Sequence, residues 1–94
     1  MIEVIKFGAV WCNPCKLMAP AMDRLRVKYN IEGSDILVSE IDVDLNPEMA
    51  QEHKIKNIPT TIFLVDGNVA KKIAGVLTYE QIENIINNDI NEKK

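Results

Sequence analysis

Strand-like and helix-like runs alternate along this chain, and the alternation restricts the fold more than any other feature. Residues 2–7 read as a short buried strand, which Gly8, Ala9 and Val10 carry into a loop. Pro14 suits the first turn of a helix. Met18, Met22, Leu25 and Tyr29 recur at helical spacing and extend that helix to about Asn30, with a kink expected at Pro20. Gly33, Ser34 and Asp35 are turn residues, and residues 36–43 follow as a strand apolar enough to lie inside a sheet. Asn46 and Pro47 supply a cap and a first helical position, predicting a short helix to about His53. Strands over 60–65 and 69–74 flank Asp66-Gly67, a hairpin signal, and Gly75 breaks the pattern. Thr78 and Gln81 form a capping box, Leu77 and Ile82 occupy the staple positions, and Ile82, Ile85, Ile86 and Ile90 give the last helix an apolar stripe. Residues 91–94 read as a frayed, solvated tail.

The resulting order is βαβαββα. Right-handed crossovers make the first two strands parallel neighbours, and helices should cover both faces of the sheet. With 94 residues and 47% hydrophobic content, the chain suits one compact domain over 1–94.

Charge excludes some functions. The net charge is -3 and the Lys and Arg residues do not cluster, so nucleic acid is not an expected ligand. No apolar run is long enough to span a bilayer, so no membrane association is expected. The start Met1-Ile2-Glu3-Val4-Ile5-Lys6 lacks the pattern of a secretory signal, which predicts a cytoplasmic protein.

Cys12 and Cys15, the two cysteines of the chain, stand in Trp11-Cys12-Asn13-Pro14-Cys15 at the junction of the first strand and first helix. A thiolate there meets unpaired backbone N–H groups and the positive end of the helix dipole, so Cys12 should ionise more readily than a free thiol. Cys15, one turn further in, can attack a mixed disulfide on Cys12. In a cytosolic setting such a pair is more often catalytic or metal-binding than structural. Zinc needs four ligands; His53 could add a third, but it reads as a surface residue. Haem attachment needs His after Cys15, where Lys16 stands. No metal and no cofactor beyond the cysteine pair is expected.

Trp11-Cys-x-Pro-Cys15-Lys16, Pro20, Ile58-Pro59-Thr60, Asp66-Gly67 and Gly75 fall in thioredoxin order and spacing, and the chain resembles the thioredoxin family over nearly its whole length. The resemblance implies an α/β thioredoxin-like fold with a four-stranded mixed sheet. Full-length thioredoxins usually begin with an extra strand and helix, and here the strand leading to the cysteines starts at Ile2, as in the trimmed core of glutaredoxins. It also implies a mechanism: Cys12 attacks a substrate disulfide and Cys15 resolves the mixed disulfide. By the same resemblance Pro59 is cis and faces the cysteines, the Ile58 backbone pairs with an extended substrate segment, and Trp11, Ile58 and Gly75 form an apolar docking rim.

Several positions depart from the family pattern. Lys6 stands where the family usually has a buried Asp, and Glu40 where it usually has a Lys, so the ion pair reads as swapped beneath Cys15. Pairing with Glu40 would relieve a buried Lys6, whose charge would favour a Cys15 thiolate. The alternative is a Lys6 that snorkels to solvent with Glu40 unpaired. Asn13 replaces the usual Gly between Cys and Pro, and Gly8 replaces a second Trp, which implies a shallower docking surface.

Three functions remain to be separated. The first is a monomeric dithiol–disulfide oxidoreductase that donates electrons to protein disulfides and is recharged by a flavin- or ferredoxin-linked thioredoxin reductase. The second is a binding module whose cysteines are incidental, which would survive their replacement by Ser. The third is a glutaredoxin-type enzyme using glutathione, against which the Trp-Cys-x-Pro-Cys motif speaks.

Overall fold

The computed structural model describes residues 1–90. The elements are β1 (Ile2–Gly8), α1 (Asn13–Tyr29), β2 (Ile36–Asp42), α2 (Pro47–Glu52), β3 (Thr60–Val65), β4 (Asn68–Ala74) and α3 (Tyr79–Asn84), continued by π-helical turns over Ile85–Ile90. Strand order across the sheet is β2-β1-β3-β4. β1 runs parallel to β2 and antiparallel to β3, and β3 pairs antiparallel with β4. The parallel pair follows from the helical crossover through α1, the antiparallel pair from the Asp66-Gly67 turn, where both residues have positive φ.

Alternation along β1 divides the core. Ile2 and Val4 face α1 and α3, packing with Met18, Met22, Leu25, Phe63, Ile82 and Ile86. Ile5 and Phe7 face the other way, toward Met49 and Ile55, with Ile62 and Leu64 beside them. Full burial of each such side chain contributes about 1.5–3 kcal/mol of transfer free energy, so both faces stabilise the sheet. Lys6 and Gly8 share the α1 face with Ile2 and Val4 by the same alternation, which brings them beneath α1.

Four expectations are corrected. β2 is an edge strand, not an interior one: Val38 alone of its residues is buried, because α1 covers only part of one face. Asn46 stands at the N-cap of α2 without capping it through its side chain, which donates to the Asp42 carbonyl instead. His53 is half-buried, its ring 5.7 Å from that of Phe7, because α2 ends over the sheet. The last helix does not stay α-helical, since its winding widens from Ile85 while Ile85, Ile86 and Ile90 remain buried. The capping box on Thr78 and Gln81 forms, and Leu77 and Ile82 are both buried. α1 runs unbroken through Pro20. The expected tail at 91–94 lies outside the described residues.

Candidate functional site

The cysteine loop sits where β1 hands over to α1. The Cys12 amide donates to the Ala9 carbonyl at 3.2 Å, closing the turn after the strand. Cys12 is then the N-cap of α1, in extended conformation, and its sulfur accepts the Cys15 amide hydrogen at 3.2 Å. An N-cap side chain normally offers oxygen to such an orphan N–H; here sulfur takes the position. The two cysteines are joined as a disulfide with their Cα atoms 5.3 Å apart. Exposure does not distinguish them, at 4% for Cys12 and 3% for Cys15. The capping geometry does, since only Cys12 faces the helix N-terminus. Asn13 and Pro14 form the first turn and are exposed.

Ile58 and Pro59 lie across from this turn. Their peptide bond is cis, and the Ile58 carbonyl oxygen is 3.9 Å from Cys12 Sγ. Ile58 packs on the small cluster of Ala9, Cys12 and Cys15, together with Val43. The Gly75 amide donates to the Pro59 carbonyl at 2.8 Å, which fastens the end of β4 to the same loop. Gly75 has φ +102, and the space a β-carbon would enter is open, so backbone conformation is what selects glycine there. Trp11 is 64% exposed, and its indole N–H donates to Asp44 Oδ2 at 2.7 Å.

Beneath the disulfide, Lys6 and Glu40 are partners in the parallel register of β1 and β2. The Lys6 side chain is 6% exposed; its ammonium donates to the Cys15 carbonyl at 3.0 Å and stands 3.7 Å from Glu40 Oε2. Lys6 is therefore buried rather than snorkelling. Glu40 is not its partner alone, for Oε1 accepts from Arg26 Nη1 at 2.7 Å, and Arg26 also pairs with Asp23. Thr61, opposite Lys6 on β3, is fully buried with a hydroxyl that makes no hydrogen bond among the described residues.

Gly8 is buried on this inner side, beside Cys15 and Lys6. A β-carbon there would stand 3.0 Å from Cys15 Sγ and 3.3 Å from Lys6 Cε, so its absence lets the inner cysteine approach β1. An open cleft of about 360 Å³ leads to this point, lined by Lys6, Gly8, Cys15, Lys16, Glu40 and Asp42 among others. Among the described residues, no three His, Cys, Asp or Glu side chains gather as a metal-ligand group.

Sequence reasoning missed Arg26 and Asp44. Arg26 lies eleven residues after Cys15, three helical turns along nearly the same face of α1, so the spacing contained the signal. Asp44 is aimed at Trp11 by a turn in which Asp42 Oδ1 accepts the amides of Asp44 and Leu45. The Asp-x-Asp-x-Asn run over 42–46 is the corresponding turn signal.

Comparison with known proteins agrees with this arrangement. Residues 2–88 match the family model described as thioredoxin. A thioredoxin of Mycobacterium tuberculosis is 38% identical over 72 residues, covering 77% of this chain and 60% of that protein. The match thus spans less than two thirds of the mycobacterial relative. A Staphylococcus aureus thioredoxin is 36% identical over 86 residues, covering 90% of this chain and 79% of its own length. Among solved structures, a mutant thioredoxin from Halobacterium salinarum superimposes with TM-score 0.78 at 27% identity, covering 90% of this chain and 71% of the other. A malarial protein superimposes with TM-score 0.81 at 25% identity, covering 93% and 94%. With its cysteine pair at the start of α1, its cis Pro59 and a family match over nearly the whole sequence, the chain belongs to the thioredoxin family.

Proposed function

We propose that this chain, acting as one domain over residues 1–94, reduces protein disulfides through its Cys12–Cys15 pair. The observation that carries the reading is the Cys15 amide pointing at Cys12 Sγ from 3.2 Å at the N-cap of α1. In the dithiol form the same N–H, with the helix dipole, favours a Cys12 thiolate. That thiolate attacks a substrate disulfide: a Cys12–substrate S–S bond forms, the substrate S–S bond breaks, and one substrate thiolate leaves. Cys15 then attacks Cys12 Sγ, closing the internal disulfide and releasing the second substrate thiolate. Two electrons have passed from protein to substrate.

In this reading Trp11, Ile58, Pro59 and Gly75 form the docking rim, supported by the packing of Ile58 on the cysteines and the Gly75–Pro59 hydrogen bond. Asn13 and Pro14 shape the turn, and Lys6 and Glu40 support Cys15 from below. The chain works as a cytoplasmic monomer and general electron donor in redox homeostasis, without further cofactor. A flavin- or ferredoxin-linked thioredoxin reductase recharges it.

Insulin-disulfide reduction tests the proposal, run with thioredoxin reductase plus NADPH in one arm and glutathione plus its reductase in another. Turnover in the first arm is expected. Cys12→Ser should abolish it, whereas Cys15→Ser should accumulate a mixed disulfide visible by mass. Full activity in the Cys12→Ser protein would refute the reading, and turnover in the glutathione arm alone would replace the reductase.

A further inference from the structure

The Glu40 carboxylate is held unequally by two cations. Its Oε1 accepts a hydrogen bond from Arg26 Nη1 at 2.7 Å, while its Oε2 stands 3.7 Å from Lys6 Nζ, beyond hydrogen-bonding distance. Arg26 in turn is fastened by Asp23 one turn back along α1. Among the described residues the Lys6 ammonium, 6% exposed, thus keeps one hydrogen bond, to the Cys15 carbonyl at 3.0 Å, and an incompletely closed ion pair. Thr61, its neighbour on β3, is neutral.

We propose that Arg26 is a positioning residue for the chemistry of Cys15: by drawing Glu40 toward α1 it leaves the Lys6 charge only partly neutralised beneath the inner sulfur. This rests on the dithiol–disulfide reading above. In the resolving step Cys15 must act as a thiolate, and in the reverse step it must leave as one, so a cation beneath it assists both directions. Glu40 moved onto Lys6 would cancel that assistance. Arg26 opposes that movement: its guanidinium hydrogen-bonds Oε1 and leaves Oε2 beyond hydrogen-bonding distance of Lys6.

Other charges near Cys15 do not offer the same control. Asp42, on β2 at the cleft, has its Oδ1 engaged by the amides of Asp44 and Leu45. Lys16 on α1 is exposed, where water screens it. Cys12 lies on the far side of the disulfide, capping the helix. The Arg26, Glu40 and Lys6 chain joins α1, β2 and β1 under the inner cysteine.

The test is thiol titration in the Cys12→Ser protein, which isolates Cys15 and is followed by thiolate ultraviolet absorbance. Arg26→Gln should release Glu40 onto Lys6 and raise the Cys15 thiol pKa by about half a unit or more. Arg26→Lys, which keeps a cation within reach of Glu40, should leave the pKa close to that of the protein with Arg26 in place. Because Arg26 acts through Glu40, Arg26→Gln should have less than half that effect when Glu40→Gln is already present. An unchanged or lowered pKa in Arg26→Gln would overturn the proposal, as would an equal shift in the Glu40→Gln background, which would mark a direct field effect. The titration reads Cys15 whether or not the intact chain reduces insulin, so failure here is distinct from failure of the proposed function.

Discussion

Lys6 Nζ donates a hydrogen bond to the carbonyl oxygen of Cys15 at 3.0 Å, tying a buried ammonium on β1 to the backbone of the inner cysteine on α1. The predicted consequence is a separation of stability from reactivity. Lys6→Met replaces a buried charge by an apolar side chain of similar length and leaves Glu40 paired with Arg26, so no orphan charge remains. Such replacements are commonly neutral or stabilising, and the lost hydrogen bond costs about 1 kcal/mol. The melting temperature should therefore change little. The Cys15 thiol pKa, titrated in the Cys12→Ser background, should rise by about one unit. An unmoved titration would remove Lys6 from the proposed mechanism.

Gly8 should tolerate no side chain without cost. A β-carbon at 3.0 Å from Cys15 Sγ and 3.3 Å from Cys15 Cβ is tighter than ordinary contact, so the Cys15 side chain must give by a few tenths of an ångström. Gly8→Ala is expected to destabilise the oxidised protein by about 1–3 kcal/mol, the usual range for overpacking a core. For a domain of this size that lowers the melting temperature by roughly 4–8 °C per kcal/mol. Calorimetry of the oxidised variant decides it: equal melting temperatures would show that the inner cleft yields freely.

Asp44 should control the proposed docking rim through Trp11. The chain has one Trp, so intrinsic Trp fluorescence reports on this residue alone. Asp44→Ala removes the acceptor of the indole N–H and should increase Trp11 mobility, seen as lower fluorescence anisotropy. Because the pair is exposed, global stability should fall by less than about 1 kcal/mol. In disulfide reduction the effect should appear as a raised KM with little change in kcat. A lowered kcat with constant KM would place Asp44 in the chemistry instead of docking.

Glu83 joins α1 to α3 and should give the fold an acid limb. Its carboxylate accepts from Lys28 Nζ and Tyr29 Oη, each at 2.9 Å. Burial pushes its pKa up, but the hydrogen bonds from Lys28 and Tyr29 outweigh burial and hold the carboxyl below its ordinary 4.5. A lowered folded value means that folding favours the ionised form. The contribution is full above the ordinary value and is lost as pH falls through the lowered one. Tyr29 shows the opposite sign: burial, then its bond to Glu83, raises the phenol above 10.0, so its contribution is lost as pH rises past that point. Glu83→Gln should cost about 1–2 kcal/mol near neutrality and flatten the acid limb in urea unfolding followed across pH. An acid limb identical in both proteins would assign it to other carboxylates.

Local signals were the most legible. The capping box at Thr78, the Asp66-Gly67 hairpin and the helical stripe of α1 each depend on residues a few positions apart. Harder to read was the end of α2, where Lys54 takes the left-handed conformation that usually marks glycine. Its backbone closes onto Gln51, and Lys72 from β4 donates to the carbonyls of His53 and Lys54. A tertiary contact thus supports a helix end that the local sequence does not announce.

At the candidate site the sequence by itself determined the chemistry: two cysteines one helical turn apart at a strand-to-helix junction, with Pro59 and Gly75 in family spacing. It also marked Lys6 and Glu40 as an unusual pair. Tertiary structure decided how that pair is shared. Parallel register sets Lys6 beside Glu40, and the packing of α1 over β1 and β2 lowers Arg26 onto the same carboxylate. It decided equally that Gly8 lies under Cys15 and that Asp44 holds Trp11. The physical reason is range: backbone propensity and capping act within a turn or two, whereas electrostatic pairing depends on distances of a few ångströms between segments that only the assembled sheet and helix bring together.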